Sequence, residues 1–103
     1  MAEPFNKLTP AEAERLALLV EECGEVAQAA AKVLRHGYES FHPRLPGGGN
    51  NRERLERELG DLRCALSMLT QAGDVDEAAV AEWAEEKTDR VLAWLHHAEP
   101  PRR

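Results

Sequence analysis

The chain predicts an all-α fold, and three observations carry that expectation. Ala, Leu, Glu and Arg dominate the composition, while aromatic residues make up only 5% and β-branched residues are scarce, a balance that favours helices over sheets. Apolar residues recur at three- and four-residue spacing through three stretches. Capping and breaking residues separate those stretches.

The first helix starts in "LTPAEAERL", with Thr9 as N-cap, Pro10 at the first helical position and Glu12 completing a capping box. It is expected to run from Pro10 to His36, with Gly37 as the closing glycine. The segment "GYESFHPRLPGGGNN", residues 37–51, carries two prolines, a triple glycine and an Asn pair. It reads as a loop, with Asn50 or Asn51 capping the next helix. A second helix is expected from Arg52 to Gln71 and should stop at Gly73. In "DVDE", Asp74 with Glu77 offers the next cap, and a third helix should span about Asp76 to His97, with "EPPRR" as a frayed tail. The loop is long enough to suggest a functional role, either as a lid adding base contacts through Tyr38, His42 or Asn51 or as a connector.

With 103 residues the chain fits a single domain over 1–103. Hydrophobic residues at 43% and charged residues at 31% are the balance of a globular, water-soluble protein. The formal net charge of −6 argues against bulk nucleic-acid binding. No basic segment precedes an apolar run, and no stretch approaches the roughly 18 apolar residues of a membrane span; a cytoplasmic protein without membrane contact is expected. Cys23 and Cys64 lack CxxC spacing and read as free, partly buried thiols.

The carboxylates are unevenly placed. Leu16, Leu19, Cys23, Val26, Ala30 and Leu34 form the expected apolar face of the first helix. Glu22 and Glu25 lie at one edge of it, in line with Leu18, Ala29 and Val33, while Glu21 turns towards solvent. On the second helix, Leu55, Leu59, Leu62, Ala65, Leu66, Met68 and Leu69 define the stripe. Glu58 falls inside it and Asp61 at its margin. On the third, Val80, Trp83, Ala84, Val91 and Trp94 bracket Lys87, with Arg90 nearby. An edge glutamate is usually solvated and an inward Lys usually snorkels, so each residue alone says little. Their coincidence says more. At about 1.5 Å per residue, Glu25 and Asp61 both lie near 15 Å from the connecting loop, so an antiparallel hairpin brings the two i, i+3 pairs level. Two unit charges about 4 Å apart repel by roughly 4 kcal/mol at an effective dielectric near 20. A small domain cannot absorb several such pairs without a compensating cation. All-oxygen ligation favours Mg²⁺, with Mn²⁺ the second choice, and the absence of Glu-x-x-His pairs weakens a di-iron reading.

"EECGE" followed by "ELGD" resembles the EExxE and ExxD motifs of the MazG-like all-α nucleoside triphosphate pyrophosphohydrolases. That superfamily also includes dimeric dUTPases and phosphoribosyl-ATP pyrophosphohydrolases. The resemblance implies that Glu22, Glu25, Glu58 and Asp61 coordinate Mg²⁺ and that Glu21 lies behind them or orients the attacking water. It further implies that Lys87 and Arg90 meet the phosphates. Lys32 and Arg35 of "KVLRHG" lie one and two turns beyond Glu25 and are further phosphate candidates. The implied reaction splits a nucleoside triphosphate into a monophosphate and pyrophosphate, and family members are dimers or tetramers. Three such helices also make only a thin bundle, so a homodimer or homotetramer is expected. The longer 37–51 loop departs from the family and leaves the substrate open. The rival readings are a phosphoribosyl-ATP pyrophosphohydrolase-like enzyme and a non-catalytic helical interaction module.

Overall fold

The computed structural model describes residues 5–44 and 46–97. These form three α-helices: α1, Pro10–His36; α2, Asn51–Ala72; and α3, Glu77–Trp94. A single 3₁₀ turn, Pro46–Gly48, interrupts the loop between α1 and α2. The described residues contain no β-strand, only an isolated antiparallel bridge between Phe41 and Asn50.

Local chemistry sets the helix ends. Thr9 Oγ1 accepts from the Glu12 amide at 3.1 Å, and the Glu12 carboxylate accepts from the Thr9 amide at 2.8 Å, satisfying two amides that lack partners inside the helix. Asn50 does the same with Glu53 at 2.9 and 3.2 Å, so Asn50 is the cap and α2 begins at Asn51. Gly73 closes α2 in the left-handed conformation, φ 79°, and the Asp74 amide donates back to the Leu69 carbonyl at 3.0 Å.

The start of α3 differs from expectation. Asp76, not Asp74, is its cap and accepts from the Ala79 amide at 2.9 Å. Asp74 is held instead by Arg15, with Nε to Oδ2 at 2.6 Å and Nη2 to Oδ1 at 3.0 Å. This two-pronged pair ties the start of α1 to the α2–α3 turn. At its other end α3 stops at Trp94, three residues short of the expected His97, and the expected tail "EPPRR" lies outside the described residues.

The helices α1 and α2 pack along one another, and the buried residues are Ala29, Ala65, Leu69 and Asn51. On α1 the half-buried positions include Arg15, Leu18, Leu19, Glu22, Val26 and Val33 around the buried Ala29. The inward line of α1 is therefore the one through Glu22, rotated from the expected centre. Leu16, Cys23 and Leu34, expected on the packed face, are exposed, and Leu34 keeps 89% of its surface in water. Both cysteines are free and exposed rather than partly buried. On α3, Trp83 and Trp94 are 64% and 63% exposed, so neither packs in a core within this chain.

The 37–50 loop is tied at its base. The Asn51 amide donates to the Ser40 carbonyl at 2.8 Å and the Arg52 amide to that of Tyr38 at 3.0 Å. The buried Asn51 side chain donates to the Gly37 carbonyl at 3.0 Å. Arg52 pairs with Glu39 and lies 4.9 Å above the Tyr38 ring. The loop thus stands as a wall on the start of α2.

Candidate metal and nucleotide site

The α1–α2 contact turns Glu22 towards α2, and helical spacing brings Glu58 and Asp61 to meet it. Glu22, Glu58 and Asp61 each offer a carboxylate oxygen, and these oxygens lie within 4.8 Å of one another. Glu22 and Glu58 are half-buried and Asp61 is exposed. Partial burial raises the pKa of Glu22 above the ordinary glutamate range, and the negative charges of Asp61, Glu21, Glu58 and Glu25 add to the rise in that order. Three anionic oxygens at this separation, with no His or Cys among them, suit a hard divalent cation that also keeps water or phosphate oxygens.

The fourth expected ligand is placed differently. Glu25 is exposed and outside the three-oxygen group. It lines a neighbouring cavity of about 500 Å³ together with Glu58, Lys32, Arg54, Arg57 and the loop glycines Gly47 and Gly48. Glu21 is exposed and lines a separate cleft with Arg15 and Met68, adding its charge to Glu22 from outside.

Among the cationic candidates, Lys32 is half-buried and lines the cavity with Glu25 and Glu58. Arg35 lies further along α1, in a second cavity of about 520 Å³ formed with Lys32, Arg54 and the loop residues Ser40 to Pro43. Lys87 and Arg90 are exposed on α3, where Arg90 approaches Glu86 at 3.6 Å. Neither lines these cavities.

Arg54 and Arg57 are the residues the sequence reading missed. A signal was there: Arg54, Glu58 and Asp61 follow one another at i, i+4 and i+7 and so share one face of α2.

The all-helical hairpin thus presents three carboxylates beside a cavity that Lys32, Arg54 and Arg57 line together with Glu25 and Glu58. The family model described as the MazG nucleotide pyrophosphohydrolase domain matches residues 11–95, which takes in nearly all of the three helices. The chain belongs to this family. No significant match was found among curated proteins or among solved structures. Among the described residues, no helix is long and apolar enough to cross a membrane.

Proposed function

We propose that this protein is a Mg²⁺-dependent nucleoside triphosphate pyrophosphohydrolase, releasing a nucleoside monophosphate and pyrophosphate. The observation that carries the reading is the convergence of Glu22, Glu58 and Asp61 within 4.8 Å in a chain matched by this family's model over residues 11–95. A divalent cation bound there would offset phosphate charge and acidify water.

The chain's own residues do the rest. Glu22, Glu58 and Asp61 would hold the cation, and Glu25, in the cavity it shares with Glu58, would add a fourth carboxylate on the cation's side of the site. Lys32, Arg54 and Arg57 engage phosphate oxygens and fix the chain of phosphates against the helices. Glu21 orients the attacking water from outside. The water oxygen joins the α-phosphorus, the bond from that phosphorus to the αβ bridging oxygen breaks, and pyrophosphate leaves with the electron pair. The water's proton passes to solvent through a carboxylate.

A homodimer or homotetramer belongs to the same proposal. The chain exposes 8581 Å², against about 5,800 Å² for a folded monomer of its mass. Its Cα radius of gyration is 17.5 Å, against about 13 Å for a compact domain of this length. The excess area is on the scale of a permanent interface, and Leu34, Trp83 and Trp94 lie on the faces it would cover. In that assembly Lys87 and Arg90 of α3 approach the phosphates. The protein works in the cytoplasm, with nucleotides rather than nucleic acids as its partners.

Pyrophosphate release from canonical and modified ribo- and deoxynucleoside triphosphates, with Mg²⁺ and with EDTA, tests the proposal. Metal-dependent release from one or more substrates supports it and names the specificity. Silence across the panel, with phosphoribosyl-ATP included, overturns it in favour of a non-catalytic helical module.

A further inference from the structure

The residues around the cavity under the 37–50 loop fall into two sets. Lys32, Asn51 and Arg54 also line the cavity beside Glu25 and Glu58 and so stand at the junction of the two. Arg35, His36, Ser40, Phe41, His42 and Pro43 belong to the loop cavity alone. This second set holds one fixed cation among a phenyl ring, a proline ring and two imidazoles. Such a lining suits a flat, uncharged ring better than a further phosphate, whose charge would face apolar surface.

Phe41 supplies the face for such a ring. Its backbone is fastened, because it bridges to Asn50 and the neighbouring Ser40 carbonyl accepts from the Asn51 amide at 2.8 Å. Yet Phe41 is 55% exposed, so the loop holds a phenyl group open rather than packing it. A nucleobase laid on that group covers apolar surface on both partners, and base–aromatic stacking tolerates any base.

The polar neighbours then decide which base is preferred. Arg35 can only donate, and His42 Nδ1 accepts from the Arg44 amide at 3.1 Å, which leaves the ring proton of neutral His42 on Nε2 as a donor. Among the described residues no carboxylate lines the cavity. A carbonyl oxygen on the base edge meets a charge-assisted donor there, whereas an exocyclic amino group brings donors to donors. The other two loop residues that the sequence offers for base contact are engaged elsewhere: Tyr38 lies beneath Arg52, and the Asn51 side chain donates to the Gly37 carbonyl.

We propose that the loop cavity receives the nucleoside base, with Phe41 as its stacking face, and that Arg35 and His42 select bases presenting a carbonyl oxygen over their amino counterparts. This rests on the pyrophosphohydrolase reading and names its substrate class. Lys32 and Arg54, at the junction, then meet the phosphate next to the sugar.

Calorimetric titration of the full chain with Mg²⁺ present tests this with two pairs of nucleoside monophosphates that exchange one oxo group for one amino group: inosine against adenosine, and uridine against cytidine. Ribose 5-phosphate, which has no base, is the reference. The wild type is expected to bind the oxo member of each pair about tenfold more tightly, and Arg35→Gln to bring that ratio below about threefold. Phe41→Ala and Phe41→Leu, the second of which keeps an apolar side chain but no ring, are each expected to weaken all four nucleotides by about fivefold or more while changing ribose 5-phosphate less than about twofold. Circular dichroism checks the helices of every variant and light scattering its mass. Three results would overturn the proposal: nucleotides that bind no more tightly than ribose 5-phosphate, equal or reversed affinity within the pairs, or nucleotide affinity unmoved in both Phe41 variants. In the last case a changed assembly mass would give Phe41 to a subunit interface instead. The turnover panel reads the parent proposal separately. Hydrolysis with no oxo preference in binding leaves the enzyme and removes the base pocket. Phe41-dependent, oxo-selective binding without hydrolysis leaves the pocket and removes the reaction.

Discussion

Replacing Glu58 by Gln separates a cation site from a merely charged helix face, because the two make opposite predictions in two solutions. Glu58 supplies one of the three oxygens within 4.8 Å. In EDTA its charge faces Glu22 and Asp61 with nothing between them, so Glu58→Gln is expected to raise the thermal midpoint by a few degrees. In Mg²⁺ the order changes. At a concentration ten times the dissociation constant, a bound ion stabilises the wild type by about 1.4 kcal/mol, which for a domain of this size raises the midpoint by about 6–11 °C. If loss of one anionic ligand weakens binding a hundredfold, the same Mg²⁺ contributes only about 0.06 kcal/mol, less than half a degree. The assay is differential scanning calorimetry at fixed protein concentration, in EDTA and in Mg²⁺. A wild-type midpoint unmoved by Mg²⁺, or a variant that responds as the wild type does, would refute the reasoning.

The metal response should also depend on pH. Glu22 has a raised pKa in the folded chain, so its ionised form costs stability. That cost is absent below the ordinary carboxylate range and complete above the raised folded value. A cation must displace the proton Glu22 holds, so the Mg²⁺-induced shift in midpoint should shrink as solution becomes mildly acidic; a shift independent of pH would count against Glu22 as a ligand. Asp74 titrates in the other sense. The Arg15 hydrogen bonds hold it below the usual aspartate range despite its burial, so its stabilisation is present above the unfolded pKa and is lost as pH falls through the folded one. Arg15→Ala should lower the midpoint by several degrees near neutrality and converge with the wild type in acid. Leu69, 3% exposed, should cost about 2–5 kcal/mol on truncation to Ala, read by urea unfolding. In the single chain a Cβ on the α1 residue Gly24 meets nothing within 4 Å, so Gly24→Ala should stabilise by about 0.5–1 kcal/mol; a loss would show that a second copy packs there.

Much of this was legible in the sequence because it is governed locally. Thr9 with Glu12 and Asn50 with Glu53 fix helix starts within four residues, and the 100° periodicity brings Glu58 to the packed side of α2 with Asp61 at its margin. What escaped depends on distant partners. Asp74 and Asp76 are equally good caps in isolation, and the choice is made by Arg15, 59 positions away from Asp74. The inward line of α1 passes through Glu22 because the small residues Ala29 and Ala65 lie at the contact, which turns the larger Leu16 and Leu34 outward. That rotation leaves Glu25 beside the cavity rather than in the three-oxygen group. Trp83 and Trp94 satisfied the pattern of a core stripe, but among the described residues nothing covers them and both stay mostly exposed. Arg54 shares a face with Glu58 and Asp61, but its place in a cavity depends on Lys32 of α1 and on the loop glycines that close it.

The tie at the loop base has a consequence for how such a protein can vary. Because Asn51 and Arg52 fasten Gly37, Tyr38 and Ser40 to the start of α2, residues inserted or deleted nearer the tip need not disturb the spacing of α1 and α2. Doubling the length of a flexible loop costs only about 0.6 kcal/mol in closure entropy. The carboxylates stand on the other side of that fastening. The tip can therefore be redesigned, by selection or in the laboratory, while the carboxylates keep their registration.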